Sequence, residues 1–91
     1  MTVRVRFFAQ FRERYGGDHR VDPPEGATIA ETIRGVTGAG SPEGGAIGPG
    51  GALRDYVIVM RNGKRIEHDE AEAAPVEDGD ELAVFPPVAG G

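Results

Sequence analysis

Asp78-Gly79-Asp80-Glu81-Leu82-Ala83-Val84-Phe85-Pro86-Pro87-Val88-Ala89-Gly90-Gly91 is the stretch on which the fold turns. Pro75 to Asp80 reads as turn material entering a strand, Glu81 to Phe85, with Leu82 and Val84 on one face. Pro86 and Pro87 then remove two backbone donors and fix φ, so pairing stops at Phe85 and the chain leaves extended. Residues 86–91 are expected to project as a tail. A frayed terminus can also be rich in glycine, yet an apolar Phe-Pro-Pro-Val lead-in is odd for a dangling polar end. A carboxylate on Gly90-Gly91 can be threaded, backbone only, into a narrow active site where any Cβ would clash.

Working back from the last strand, Tyr56 to Met60 is a run of β-formers. Asn62-Gly63 follows, and that pair is the strongest short hairpin signal. It predicts two antiparallel strands, Tyr56 to Met60 and Lys64 to Glu67. At the other end of the chain, Val3, Val5 and Phe7 alternate with Thr2, Arg4 and Arg6, which predicts a half-buried first strand. Phe8, Phe11 and Tyr15 recur at helical spacing and suggest a short helix from Ala9 to Tyr15, stopped by Gly16-Gly17. A brief second strand is expected around Arg20-Val21, before the turn residues Pro23 to Gly26.

Thr28 and Glu31 form a T-x-x-E capping box, and Ile29, Ile33 and Val36 line one face of the helix that starts there. Gly35 or Gly38 is placed to end it. From Thr37 to Gly51 the chain holds seven of its fifteen glycines. Ordering that much glycine costs backbone entropy, so 37–51 is expected to be a flexible loop with few apolar anchors beyond Ile47. The loop carries no phosphate-binding motif and no lysine or arginine, which argues against a nucleotide site. The element order is strand, strand, helix, loop, hairpin, last strand. A helix laid across one face of the sheet would complete a two-layer α+β core.

Ninety-one residues make one small domain, residues 1–91, with room for a single core and no deep catalytic cleft. The chain has no cysteine, which removes thiol nucleophiles, persulfides, disulfides and thiolate metal sites. A formal net charge of −5 argues against nonspecific nucleic-acid binding. The longest apolar run falls far short of the roughly 20 residues that span a bilayer, and no basic and apolar leader opens the chain. A soluble, cytoplasmic protein is expected. Acid is concentrated in Glu67, Asp69, Glu70, Glu72, Glu77, Asp78, Asp80 and Glu81, which could steer docking onto a basic partner or serve as a solvated edge. His19 and His68 lack ligand-like spacing and are expected at the surface, and no bound metal is expected.

The segments V-R-V-R-F-F-A-Q-F-R-E, T-I-A-E-T-I, V-M-R-N-G, D-G-D-E-L-A-V-F-P-P and V-A-G-G together resemble the MoaD family of ubiquitin-like sulfur carriers, relatives of ThiS. The resemblance covers nearly the whole chain outside the glycine-rich insert. It implies a β-grasp fold, a mixed sheet of four to five strands packed on one main helix. It also implies a carrier with no bound cofactor that acts as co-substrate of other enzymes. A partner activating enzyme would use ATP and magnesium to adenylate the Gly91 carboxylate. A sulfur donor would then displace AMP, leaving a Gly91 thiocarboxylate.

In the molybdopterin branch, a larger synthase subunit would receive the tail and its sulfur. By matching positions, Gly91 carries the reacting carbonyl, Gly90 gives passage, Val88 and Ala89 line the threaded segment, and Pro86 and Pro87 join them as partner-binding residues. Phe85 is the apolar anchor for a partner, expected to be partly exposed because Leu82 and Val84 take the other face. Archaeal small modifier proteins resemble the same family and join their terminal glycine to lysines of target proteins. Lys64, the single lysine, is the corresponding acceptor for self-conjugation. A thiazole-forming, ThiS-like role is a third reading.

Overall fold

Val3, Val5 and Phe7 point into the core and are at most 1% exposed, while Arg4 and Arg6 take the other side. In the computed structural model, which describes residues 1–87, this segment is β1 (Val3–Phe7). It is followed by α1 (Gln10–Tyr15), β2 (Asp18–Val21), α2 (Ile29–Thr37), β3 (Ile58–Arg61), β4 (Lys64–Ile66), α3 (His68–Ala73) and β5 (Glu81–Phe85). The strands form one sheet in the order β2-β1-β5-β3-β4. β1 and β5 run parallel at its centre, and every other pairing is antiparallel. The expected β-grasp, α+β architecture is present.

The capped helix α2 covers the sheet. Thr28 Oγ1 accepts from the Glu31 amide at 3.1 Å, and the Thr28 amide donates to Glu31 Oε1 at 2.9 Å. These two bonds satisfy orphan donors reciprocally and fix where the helix begins. Ile29, Ala30 and Ile33 are fully buried and join Val3, Val5, Val59, Leu82 and Val84 in one cluster. Gly38, with φ +81°, ends the helix and returns its amide to the Arg34 carbonyl at 2.8 Å. Asn62 and Gly63 both have positive φ, as the two-residue hairpin turn requires.

Asp80 closes the sheet end that carries this hairpin. It is 5% exposed and accepts from Arg61 Nε and Nη2 at 3.1 and 2.8 Å, from Asn62 Nδ2 at 3.0 Å and from the Glu77 amide at 2.8 Å. Burial pushes this carboxyl up, but the Glu77 amide, Asn62 and Arg61 outweigh that and hold it below the usual aspartate value. The turn before β5 is thereby tied to the β3–β4 hairpin.

Three features differ from the sequence reading. First, α3 has no counterpart in it: His68–Ala73 offers one buried residue, Ala71, which packs under the helical layer. Second, the glycine-rich insert contributes Ala46 and Ile47 to the core, with Leu53 and Val57 just beyond. Side chains bond its backbone from outside: Tyr15 Oη accepts from the Ala46 amide at 3.0 Å, Arg34 donates to the Gly51 carbonyl at 3.0 Å, Arg14 donates to the Glu43 carbonyl at 3.3 Å, and Arg54 donates to the Ser41 carbonyl. Third, the histidines are half-buried instead of at the surface. Their Nε2–H groups donate at 2.6 Å, His19 to the Tyr15 carbonyl and His68 to the Val57 carbonyl.

Candidate functional site

β5 is the last element of the described residues and is followed only by Pro86 and Pro87, so whatever surrounds Phe85 frames the base of the C-terminal segment. The strand alternates as expected: Leu82 and Val84 are fully buried, while Ala83 and Phe85 face outward and are half-exposed. Phe85 pairs with Ile58, and Ala83 pairs with Met60 on one side and Arg6 on the other. The outer face of the central strands is therefore apolar around the tail base. The sequence predicts a strand over Tyr56 to Met60, but β3 begins at Ile58 and Tyr56 lies in the turn before it. Ile58 to Met60 is apolar on both parities, the pattern of a strand covered on both faces, and among the described residues only one face is covered.

Phe8 completes the patch. Its amide donates to the Val84 carbonyl at 3.2 Å, extending the β1–β5 pairing by one bond. Its ring lies 4.4 Å from that of Phe85 with an interplanar angle of 11°. The Arg6 guanidinium sits 5.2 Å from the Phe8 ring centroid. Helical spacing groups Phe8 with Phe11 and Tyr15, but the helix starts at Gln10. Ala9, with φ +55° and ψ −130°, turns the chain before it, a conformation sparsely populated outside glycine. The signal that places Phe8 is strand parity, since it shares a face with Arg4 and Arg6.

Beside the stacked rings lies a groove of about 500 Å³ lined by Ala9, Gln10, Ile58, Met60, Phe85 and the two prolines. Pro86 is buried and Pro87 exposed. A second depression, about 310 Å³, borders the same prolines from the other side, between Gln10, Phe11 and Arg14 of α1, Gly44 and Gly45 of the insert, and Tyr56. Tyr56 is 45% exposed. A patch that joins an aromatic stack, a methionine and two prolines, rimmed by arginine, has the composition of a protein-docking surface.

At the end of β5 away from Phe85, Glu81 lies 3.6 Å from Arg4 and 3.7 Å from Arg6. Arg4 is also bidentate to Asp18 at 2.9 and 2.6 Å. That contact holds the Asp18 carboxyl below its ordinary value. The acidic residues expected to lead as a block to the tail are dispersed: Glu72 pairs with Arg34, Glu77 and Asp80 with Arg61, and Glu81 with the outer-face arginines. The tail base itself is apolar and cationic.

Lys64 lies in the exposed start of β4. Its partner Arg61 pairs with Leu82, whereas Phe85 pairs with Ile58, so the lysine and the tail base occupy opposite ends of the sheet. Three strand residues separate them, about 10 Å along the sheet. Val88, Ala89, Gly90 and Gly91 lie outside the described residues. Among the described residues, no group of three or more His, Cys, Asp or Glu side chains could hold a metal ion. No helix there is long and apolar enough to cross a membrane.

Comparison with known proteins agrees with this architecture. The model of the ThiS family matches residues 5–91. Small archaeal modifier protein 3 of Haloferax volcanii is 36% identical over 94 aligned positions, covering 100% of both chains. The molybdopterin synthase sulfur carrier subunit of Aedes aegypti is 50% identical over 40 residues, 44% of this chain and 40% of that one. Among solved structures, SAMP1 of Haloferax volcanii superposes with a TM-score of 0.79 at 32% identity, covering 100% of both chains.

Proposed function

The chain belongs to the ThiS family, and from that membership we propose that it is a sulfur carrier whose chemistry takes place at the Gly91 carboxylate. A carboxylate oxygen attacks the α-phosphorus of ATP on a separate activating enzyme, and pyrophosphate leaves. Hydrosulfide sulfur, or its equivalent from a donor protein, then attacks the acyl carbon and expels AMP, giving a thiocarboxylate. A carboxylate alone is a poor electrophile, and the adenylate supplies its leaving group. The thiocarboxylate is an ionised, soft nucleophile, held at high effective concentration once the tail is seated on an acceptor. Sulfur delivery, through a large synthase subunit, to the pterin precursor from which molybdopterin is made is the end use this reading assigns.

The observation that carries the proposal is the apolar groove at the tail base. The rigid stack of Phe8 on Phe85 and the paired prolines supply an anchor whose energy is independent of the reacting atom. The globular part then provides affinity, and the tail is left to enter the partner's active site. A second reading, conjugation of Gly91 to lysine amines of target proteins, is supported by the full-length likeness to the archaeal modifier. Both readings share the adenylate and part only in the nucleophile that follows.

ATP–pyrophosphate exchange catalysed by the activating enzyme tests the shared step. The intact chain is expected to support exchange, and a chain lacking Gly90 and Gly91 is expected to be folded and inert. Exchange that persists without the two glycines overturns the proposal. Sulfide against lysine as the acceptor then separates the two readings.

A further inference from the structure

β2 is an edge strand. The Phe7 amide donates to the Gly17 carbonyl at 3.2 Å, and the register continues as Val5 opposite His19 and Val3 opposite Val21. Paired and free positions alternate along an antiparallel ladder. The amide and carbonyl of Arg20 therefore face away from β1, on the open side of the sheet. An open edge of this kind is a template for another strand.

On the helix side of this edge lies a groove of about 480 Å³ between the turn after β2 and α2. Val21, Pro23, Pro24 and Ala27 give it apolar walls, and α2 contributes Gly35. A methyl group built on Gly35 would meet nothing within 4 Å. The charged residues of the lining are Asp22, Glu25 and Glu31, all carboxylates. The Thr28 amide and hydroxyl hold Glu31 below the ordinary glutamate value, so it is ionised at neutral pH. Asp22 accepts from the Thr2 hydroxyl at 3.2 Å, and Arg34, one turn along α2, is turned to Glu72 at 3.2 Å.

We propose that the β2 edge and this groove form a second docking surface, for an extended segment of a partner protein that pairs beside Arg20, sets an apolar side chain against Val21 and Gly35, and brings lysine or arginine to Asp22, Glu25 and Glu31. Main-chain bonds supply affinity in such strand addition, and the pocket with its charges supplies selectivity. Val21 pairs with Val3 and Phe85 with Ile58, while Val84 lies beside Phe7. The groove is thus at the opposite end of the sheet from the tail base. One partner can hold the protein here while another works on Gly91. This inference stands on β2 and α2 alone, whatever the tail carries.

Amide NMR of the full chain, titrated with an end-blocked heptapeptide of alternating lysine and valine, tests it. The amides of Arg20, Val21, Gly26 and Gly35 are expected to shift, with slowed exchange at Arg20. The same peptide with glutamate in place of lysine is expected to leave them unmoved. Gly35→Leu fills the groove from an unstrained helical position and improves helix propensity; it is expected to weaken the lysine peptide about tenfold or more. No shifts with the lysine peptide, equal shifts with the glutamate peptide, or unchanged affinity in Gly35→Leu would overturn the proposal. So would β2 shifts that vary with the chain's own concentration, which would assign the edge to a second copy.

Discussion

Phe8 lies flat against Phe85, ring centroids 4.4 Å apart, and this contact links the end of the first strand to the base of the tail. Phe8 arrives there by one extra hydrogen bond past β1, and Phe85 is the last residue before the prolines. The two rings form a solvent-facing platform over a core already completed by Leu82 and Val84. On the proposed reading, recognition and folding use different faces of the same strand.

Phe85→Ala separates the two. The fold is expected to lose about 1 to 2 kcal/mol, from the stack and the part-buried ring, which urea unfolding reads. Affinity for the activating enzyme is expected to fall about 30-fold, near 2 kcal/mol, as for a central aromatic anchor. Leu82→Ala should invert the pattern, costing about 2 to 5 kcal/mol of stability while leaving the affinity of the folded fraction almost unchanged.

Asp80 governs acid stability. Against the opposing effect of burial, its folded pKa is held below the ordinary aspartate value by the Glu77 amide, Asn62 and Arg61. Its contribution is therefore complete above the unfolded aspartate pKa and disappears as pH falls through the lower, folded value. Stability against urea is expected to decline below about pH 4 more steeply in the parent than in Asp80→Asn. At pH 7 that variant should be less stable by about 2 to 3 kcal/mol, because Arg61 and the Glu77 amide lose a charged acceptor.

Gly45 reports on the insert. It is buried with φ +76°, and a Cβ there would collide with Tyr15 Oη, the acceptor of the Ala46 amide. Gly45→Ala is expected to cost more than about 1 kcal/mol. Hydrogen exchange at the Ala46 amide should accelerate more than at Val5 or Val84. Equal acceleration at all three sites would mean that the insert and the sheet open together.

Lys64→Arg addresses the conjugation reading. The residue is exposed in the β4 end of the hairpin and far from the tail base. Adenylation is expected to be unchanged, while any isopeptide formed between copies through Lys64 is lost in tryptic peptide maps. Copy-to-copy conjugates that persist in this variant would place the acceptor at the amino terminus, joined through an ordinary peptide bond.

The parts of the fold that were legible in the sequence are those written in local chemistry. Thr28 and Glu31 announce a helix start, Asn62-Gly63 a hairpin, and the alternation of Val3, Val5 and Phe7 a strand. What stayed hidden depends on long-range partners. The insert is held by Tyr15, Arg14, Arg34 and Arg54 through bonds to backbone, and nothing in the spacing of glycines predicts them. α3 forms from a six-residue segment with a single buried alanine and no capping side chain.

The groove followed the same rule. Strand parity is local and marks Phe85, but Ile58, Met60 and Phe8 join it only after β3, β5 and β1 are set side by side. The spacing of Phe8 to Phe11 and Tyr15 fits a helix, although its backbone extends the sheet. The backbone at Ala9 breaks that helix one residue later.

The most direct test of the central claim is thiol-selective alkylation of the protein after incubation with the activating enzyme, ATP, magnesium and sulfide, followed by mass spectrometry of the C-terminal peptide. The chain has no cysteine, so an adduct on the peptide ending in Gly91 reports a thiocarboxylate, and that adduct is expected only when ATP is present. A C-terminal peptide that forms adenylate and stays unalkylated under these conditions would contradict the sulfur-carrier account.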